Sequence, residues 1–360
     1  MINPTPPIDV KTEEFLVIRH VNSTNNNWQT PCFSAHAFAI MRLNMAVHGV
    51  GDYFALDIGT NAVRVVQLSP SGADSWNLSH FGYAPIDEKV SAAASQEAQH
   101  KLGEVIMTAV GQSGIKTKNV IISLASNRTF NTVVELPSMP ENELRNTIKY
   151  QVDQYIPMAV NEAKVDWAQL GPSLHDPKMQ EVLIASTSNA YAEAQLEFIE
   201  SLGLNVIAAE PAPLAMLRSV LPANAPDARL IIDVGEQSTD LALTFGDTPR
   251  LIRNIPTRLQ SLVKATVQNL NVQEDQARQF ILKFGLAPDR LEGQVLRAIE
   301  GVLDGFVAEL TKSVKFFQTR YPNTPVGAIM LSGYANVIPG LGQYLTSKTS
   351  IQAAPANPWQ

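Results

Sequence analysis

The sequence has a single cysteine, Cys32, in 360 residues. One thiol excludes an intramolecular disulfide and any zinc site built mainly on cysteine, and it fits a reducing compartment. The histidines (His20, His36, His48, His80, His100 and His175) have no metal-ligand spacing, so they read as structural or exposed side chains. Long apolar runs are lacking too. No uninterrupted stretch approaches the roughly 20 residues that a bilayer-spanning helix needs. Phe33 to Val50 is broken by His36, Arg42, Asn44 and His48 and has no basic segment before it, so it does not read as a secretory signal. Any membrane association is therefore expected to be peripheral or through a partner. Charged residues are sparse, at 17%, and the formal net charge is −7. That argues against a broad nucleic-acid surface. The chain is 45% hydrophobic, enough for a substantial core, and its length favours two domains.

Against this background one short stretch stands out, Asp57-Ile58-Gly59-Thr60-Asn61, with an echo at Asp233-Val234-Gly235-Glu236-Gln237. Each follows an apolar strand-like run (Tyr53 to Leu56; Arg229 to Ile232) and precedes another (Val63 to Leu68; Thr239 to Thr244). A carboxylate at a strand end can hold Mg2+ through water, because Mg2+ prefers oxygen ligands and keeps much of its hydration shell. Glycine lets the backbone turn tightly, so that the following N–H groups can face a phosphate. Two such turns, at matching points of two similar halves, point to a nucleotide clamped between domains.

Residues 1–50 stand apart from this pattern. Pro4, Pro6, Pro7 and the tract Asn22 to Asn27 read as a flexible arm that docks on this protein or a partner, or as an adventitious extension with translation starting at Met41 or Met45. From Tyr53 the patterning predicts strands at 53–57, 62–69 and 75–83, a helix over 91–113 and strands at 119–125 and 129–136. A helix is expected over 141–155, with Leu144, Ile148, Val152 and Tyr155 on one stripe and Pro157 as its stop. Strands at 165–167 and 182–185 follow, then a helix from Asn189, read as its cap, to Leu202, a turn at Glu210-Pro211 and a helix at 213–220. After a connection over 222–227 come strands at 229–233, 239–245 and 250–255, and helices over 257–270, 274–284 and 292–321. A buried strand at 328–331 runs into Ser332-Gly333-Tyr334, and a closing helix follows Pro339-Gly340-Leu341-Gly342.

With both Asp-x-Gly turns and the late Leu331-Ser332-Gly333-Tyr334…Ile338-Pro339-Gly340-Leu341 in place, the chain resembles actin-like nucleotide-binding proteins. More narrowly, it is similar to the PilM family of the type IV pilus assembly platform, relatives of the cell-division protein FtsA. The discriminating run is Glu135-Leu136-Pro137 through Glu143-Leu144, then Ile148-Lys149-Tyr150-Gln151 and Tyr155-Ile156-Pro157, with Glu210-Pro211-Ala212-Pro213-Leu214-Ala215 later. The likeness covers roughly residues 52–360.

The resemblance implies an α/β, actin-like two-lobed fold, a repeated βββαβαβα core of ribonuclease H-like type with an FtsA-like inserted subdomain. The first lobe would span 51–226, with the insert at about 127–178. The second would span 227–360, with a helical part at about 257–322. It further implies ATP or ADP with Mg2+ in the cleft, and a groove, placed at Tyr155, Ile156 and Pro157, for the N-terminal cytoplasmic peptide of a PilN-like inner-membrane protein. Other pilus platform and motor proteins and self-association remain open. The expected location is the cytoplasm, held to the inner membrane through a partner.

The expected nucleotide contacts are Gly59, Thr60, Asn61 and Arg64 from the first lobe and Gly235, Gln237, Ser238 and Thr239 from the second, with Gly333, Tyr334 and Gly340 toward the nucleoside. Asp57, Asp233 and Asp240 would face the metal through water; Asp240 sits at the repeat position that matches Arg64. Gln151 and Glu210 are the only candidates for activating an attacking water, so hydrolysis is expected to be slow at most. The chain departs from the family at Asn254-Ile255-Pro256-Thr257, Arg278 and Tyr334, all on the expected adenosine side. The same superfamily includes small-molecule kinases, which need a general-base Asp near an acceptor hydroxyl. No such Asp motif lies between 120 and 180. An FtsA-like filament former would share the fold.

Overall fold

The computed structural model describes residues 52–71, 76–92, 95–221, 225 and 227–359. The extension over residues 1–50 and most of the connection at 222–226 lie outside them.

The first lobe opens with a meander of β1 (Phe54–Ile58), β2 (Ala62–Pro70) and β3 (Trp76–Pro85), followed by α1 (Glu88–Ala92), α2 (Gln96–Ser113) and β4 (Asn119–Leu124). An inserted unit then carries β5 (Thr129–Pro137), α3 (Glu141–Gln151), β6 (Ala163–Pro172) and β7 (Met179–Ser188). The lobe resumes with α4 (Asn189–Ser201), β8 (Asn205–Pro211) and α5 (Ala212–Val220). The second lobe repeats the plan: β9 (Ala228–Val234), β10 (Thr239–Phe245), β11 (Thr248–Ile255), α6 (Leu259–Leu270), α7 (Glu274–Phe284), α8 (Gln294–Arg320), β12 (Val326–Gly333), α9 (Tyr334–Val337), α10 (Leu341–Thr349) and β13 (Ala353–Pro355).

The two main sheets have equivalent strand orders, β3-β2-β1-β4-β8 and β11-β10-β9-β12-β13. In both, the meander is antiparallel and the last two strands are parallel to the first. The repetition extends to single residues. Asp57 faces Arg64 across β1 and β2, and Asp233 faces Asp240 across β9 and β10. Each pair puts two side chains on one sheet face at the mouth of a turn.

Apolar spacing explains the helices. Val295, Ile299, Leu303, Phe306, Leu310 and Phe317 line the buried side of α8 and join the core of the second lobe. Each such side chain contributes about 2 kcal/mol by leaving water. The first lobe has its own core, with Phe54, Leu56, Val63 and Val65 of its sheet against Ile106 and Ala109 of α2 and Leu196 and Ile199 of α4.

Several elements differ from the sequence reading. The helix expected over 91–113 is two helices, and α2 starts at an N-cap on Ser95, whose side chain accepts from Ala98 N. The cap of α4 is Ser188, whose hydroxyl accepts from Tyr191 N, one residue before the expected Asn189. The helix over 141–155 ends at Gln151 and tightens into a 3₁₀ turn at Val152–Gln154. The segment read as a turn at Glu210-Pro211 is the end of β8, an edge strand whose final proline needs no ladder donor. The three-residue β13 carries no sequence signal. The inserted sheet, ordered β5-β7-β6, runs on to Ser188, beyond residue 178, because β7 lies between β5 and β6 and pairs with both.

Candidate functional site

The two turns are built alike. Gly59 N donates to Ala62 O at 2.9 Å, and Gly235 N donates to Ser238 O at 2.8 Å. A Cβ on Gly235 would lie 2.8 Å from Ser238 O, which leaves no room for a side chain, and one on Gly59 would lie 3.1 Å from Ala62 O, a tight contact with the turn's own backbone.

In the first turn, Arg64 Nη1 donates to Asp57 Oδ2 at 3.1 Å and Ser123 Oγ donates to Asp57 Oδ1 at 2.9 Å. Asp57 and Arg64 are both about half exposed, so this pair is worth little to stability and is free to engage a ligand. The Arg64 guanidinium also lies 5.9 Å from the Tyr83 ring centre. The carbonyls of Thr60 and Asn61 are used within the fold, accepting from Ser91 Oγ at 2.7 Å and from Ile86 N at 3.0 Å.

In the second turn the carboxylates are deeper. Burial pushes Asp233 above the usual carboxylate range; a hydrogen bond from Ser332 and the charge of Arg64 oppose the shift, and the negative charge of Asp57 adds to it. Burial pushes Asp240 up to about 6, against hydrogen bonds from Asn254 and Ser126 and with the help of Asp233. Asn254 Nδ2 donates to Asp240 Oδ1 at 3.0 Å. Asp57, Asp233 and Asp240 thus form an acidic cluster with Arg64 as its cation. Like charges placed opposite each other on neighbouring strands repel.

The lobes touch across this cluster. Ser126, just after β4, accepts from Asn254 Nδ2 at 3.2 Å and lies 3.5 Å from Ser238 Oγ. On the other side, Gln237 donates to Glu88 of α1. Behind the turn, Arg278 Nη1 donates to the buried Glu236 at 3.0 Å, and Arg258 Nη1 donates to Gln237 O at 3.1 Å. Burial and the charge of Glu236 push the Tyr334 hydroxyl up, placing Tyr334 beside the Glu236–Arg278 pair. Gly333 has φ 58°, and a Cβ there would lie 2.5 Å from Asp233 Oδ1.

The structure therefore gathers Asp57, Gly59, Arg64, Asp233, Gly235, Gln237, Ser238, Asp240, Gly333 and Tyr334 around one cleft. Other expected residues are placed differently. Thr239 is fully buried and follows strand alternation onto the face opposite Asp240. That hydroxyl has no hydrogen-bond partner within the protein. Gly340 has φ 79° and sits against Leu286 at the start of α10, a packing position. Glu210 is buried and its carboxylate is already engaged by Arg218. Gln151 lies on the insert, 3.5 Å from the Tyr155 hydroxyl. Ile156 is buried in the core of the insert with Leu144, Ile148 and Val152, whereas Pro157 is exposed and Tyr155 partly so. Sequence reasoning missed Ser123, Ser126, Ser332 and Glu236. Ser332 and Glu236 adjoin flagged residues, which was the only signal for them.

Among the described residues, no group of three or more His, Cys, Asp or Glu side chains can enclose a metal directly. The acidic cluster instead fits a cation held through its water shell, which would relieve the repulsion that burial intensifies.

The raised carboxyls make stability depend on pH. A group whose folded pKa exceeds its unfolded value, about 4 for aspartate, contributes stability below the unfolded pKa and loses it as pH rises through the folded value. For Asp240, with its pKa pushed up to about 6, this amounts to about 2 kcal/mol lost between pH 4 and pH 7. Asp240→Asn is expected to flatten that slope and to be more stable than the parent at pH 7. Urea midpoints measured across pH 4 to 8 check this; parallel curves for the two proteins would refute it.

Paired five-stranded sheets of equal topology around an acidic cleft define an actin-like fold. A sequence profile described as "Type IV pilus assembly protein PilM" matches residues 55–360. The chain belongs to this family of type IV pilus assembly proteins. Its fold is similar to a solved "PilM-PilN type IV pilus biogenesis complex", with a TM-score of 0.72 and 22% identity over 86% of this chain and 89% of that one. It is also similar to the ethanolamine utilization protein EutJ from Carboxydothermus hydrogenoformans, with a TM-score of 0.51 and 12% identity over 86% of each chain. A MamK double helical filament matches with a TM-score of 0.51 and 13% identity, covering 85% of this chain and 94% of that one.

Proposed function

We propose that the chain binds ATP or ADP with Mg2+ between its lobes, and that nucleotide state controls how it holds the N-terminal peptide of a PilN-like inner-membrane protein during pilus assembly. The observation that carries the reading is the matched register of the Asp57–Arg64 and Asp233–Asp240 pairs, which aims two glycine turns and their charges at one cleft. Gly59, Thr60 and Asn61 would face one phosphate edge and Gly235, Gln237 and Ser238 the other, with Arg64 reaching the phosphates. Asp57, Asp233 and Asp240 would hold the metal's water shell, and bound Mg2+ would neutralise phosphate charge. Hydrolysis is slow at most, since Glu210 is tied to Arg218 and Gln151 sits on the insert. The family and its PilM–PilN relative support the partner. The proposal places the chain in the cytoplasm, attached to the inner membrane through that partner. Among the described residues no helix is long and apolar enough to cross a bilayer.

Mg-ATP at about 100 times its Kd is expected to stabilise the protein by about 2.7 kcal/mol, read as a thermal shift. Asp57→Ala should abolish the shift with little change in the unliganded midpoint, since Asp57 is half exposed. No shift in the parent protein sinks the nucleotide reading, and inorganic triphosphate in parallel separates phosphate from base recognition. For the peptide, Tyr155→Ala is the informative variant. Ile156→Ala would act through the core.

A further inference from the structure

The inserted unit enters and leaves the chain within the first lobe, yet its strongest packing is against the second. Glu181 of β7 is completely buried and accepts hydrogen bonds from Arg250 of β11 and from the Tyr321 hydroxyl at the end of α8. Arg320 Nη2 lies 3.6 Å from the same carboxylate, and Arg320 Nη1 donates to Val133 O of β5 at 3.2 Å. Beside this network, Val133, Leu170, Leu183 and Ala185 of the insert share one buried apolar cluster with Ile231 and Ala242 of the second lobe and with Leu214, Leu217, Val220 and Leu221 at α5, the helix that ends the first lobe. Neither lobe's own core cluster includes a residue of the inserted sheet, so the buried polar network is what distinguishes the two sides. Even the crossing segment at Ser126 is bonded to Asn254 of the second lobe.

The seam with α4 and the strand ends of the first lobe is of another kind. It has an ion pair from Lys164 to the half-exposed Glu193 at 3.2 Å and a bond from Asn189 Nδ2 to Asn161 O at 3.1 Å. A crevice lined by Leu124, Asp166, Ser186 and Pro211 runs along it, and Ser186 Oγ is buried there with no hydrogen-bond partner. Exposed ion pairs contribute about 0–1 kcal/mol, whereas breaking a buried pair costs several kcal/mol.

We propose that the insert is mechanically part of the second lobe, with Glu181 and Arg250 as its positioning residues, and that the surface which opens and closes with the cleft is the seam between the insert and α4 of the first lobe. A partner that grips both sides of that seam would read the state of a cleft it does not touch. This consequence rests on the nucleotide reading given above; the attachment itself does not.

The test uses the full chain with Cys32→Ser and pairs of spin labels on cysteines replacing Lys101 of α2, Tyr150 of α3 and Lys312 of α8, all exposed. Without ligand, the 150–312 distance distribution is expected to be narrower than 150–101. With Mg-ATP, 150–101 and 101–312 should shift together while 150–312 stays fixed. A 150–312 distance that changes while 150–101 holds, or a 150–312 distribution as broad as 150–101, overturns the proposal. If Mg-ATP changes nothing, the nucleotide reading is what fails, and the ligand-free widths still decide the attachment. Tyr321→Phe, which removes one donor at little packing cost, should widen 150–312 roughly twofold and leave 101–312 unaffected by comparison, as expected for local opening of one unit. Glu193→Ala, at the other seam, should leave 150–312 unchanged; the reverse pattern for these two variants also overturns the proposal.

Discussion

Replacing Arg250 with methionine is expected to lower the unfolding free energy by about 3–5 kcal/mol, because it strands the charge of a fully buried Glu181. The Tyr321 hydroxyl would remain as a donor and Arg320 would stay 3.6 Å away, but a neutral hydrogen bond and a partly exposed cation beyond hydrogen-bond distance do not replace the direct guanidinium contact. Burial also pulls the Arg250 guanidinium below its ordinary pKa, which marks how little water reaches the pair. The triple variant Glu181→Leu, Arg250→Met, Tyr321→Phe should recover most of the loss, since it leaves no fully buried charge or hydroxyl unpaired, and Arg320, which loses Glu181, is partly exposed and keeps its bond to Val133 O. Urea unfolding with an unchanged m-value reads both outcomes. If Arg250→Met unfolds at the parent midpoint, the network is not desolvated and the insert is not anchored where it is drawn. If the triple variant is no better than the single one, shape rather than charge holds the contact.

The parts of this molecule that were legible in the sequence are those written in local spacing. The long helix α8 could be read because its apolar residues recur at helical intervals over many turns. The two turns could be read because each carries Asp, then a glycine two residues on, between strand-like runs. Their common register then follows from the shared topology. What was not legible depends on partners far along the chain. Glu181 and Arg250 meet across 69 residues, and nothing near either one announces the other. Ser126 reaches Asn254 across 128 residues and looks like any loop serine. β8 was misread because only Val206 and Ile207 carry strand preference, its burial does not alternate and its last residue is proline. Ile156 was a different kind of miss. It continues the i+4 series Leu144, Ile148, Val152 onto the underside of the insert, so the stripe itself already predicted a core position. Thr239 is a similar case, since period-two alternation separates it from Asp240.

Gly333→Ala is expected to cost about 3 kcal/mol and to remove Mg-ATP binding as well, because it combines backbone strain with overpacking. The backbone there has φ 58° and ψ −137°, a region that only glycine enters readily. The added methyl would lie 2.5 Å from both Asp233 Oδ1 and Val234 O, since β12 runs parallel to β9 with Gly333 opposite Val234. Neither obstacle is the far end of a flexible chain. One is ladder backbone, and the other is the short carboxylate of the second turn, already held by Ser332. Relief must therefore displace Asp233 from the position in which it faces Asp57 and Arg64. Gly301→Ala supplies the control. Its Cβ meets nothing within 4 Å on the exposed side of α8, so it should stabilise by up to about 1 kcal/mol through helix propensity. The same chemical change is thus expected to act with opposite sign at two glycines of one lobe. Urea midpoints and Mg-ATP thermal shifts on the two variants check both signs. A Gly333→Ala protein that unfolds like the parent and still responds to Mg-ATP would mean that β12 does not press on Asp233, and the acidic cluster would have to be redrawn without it.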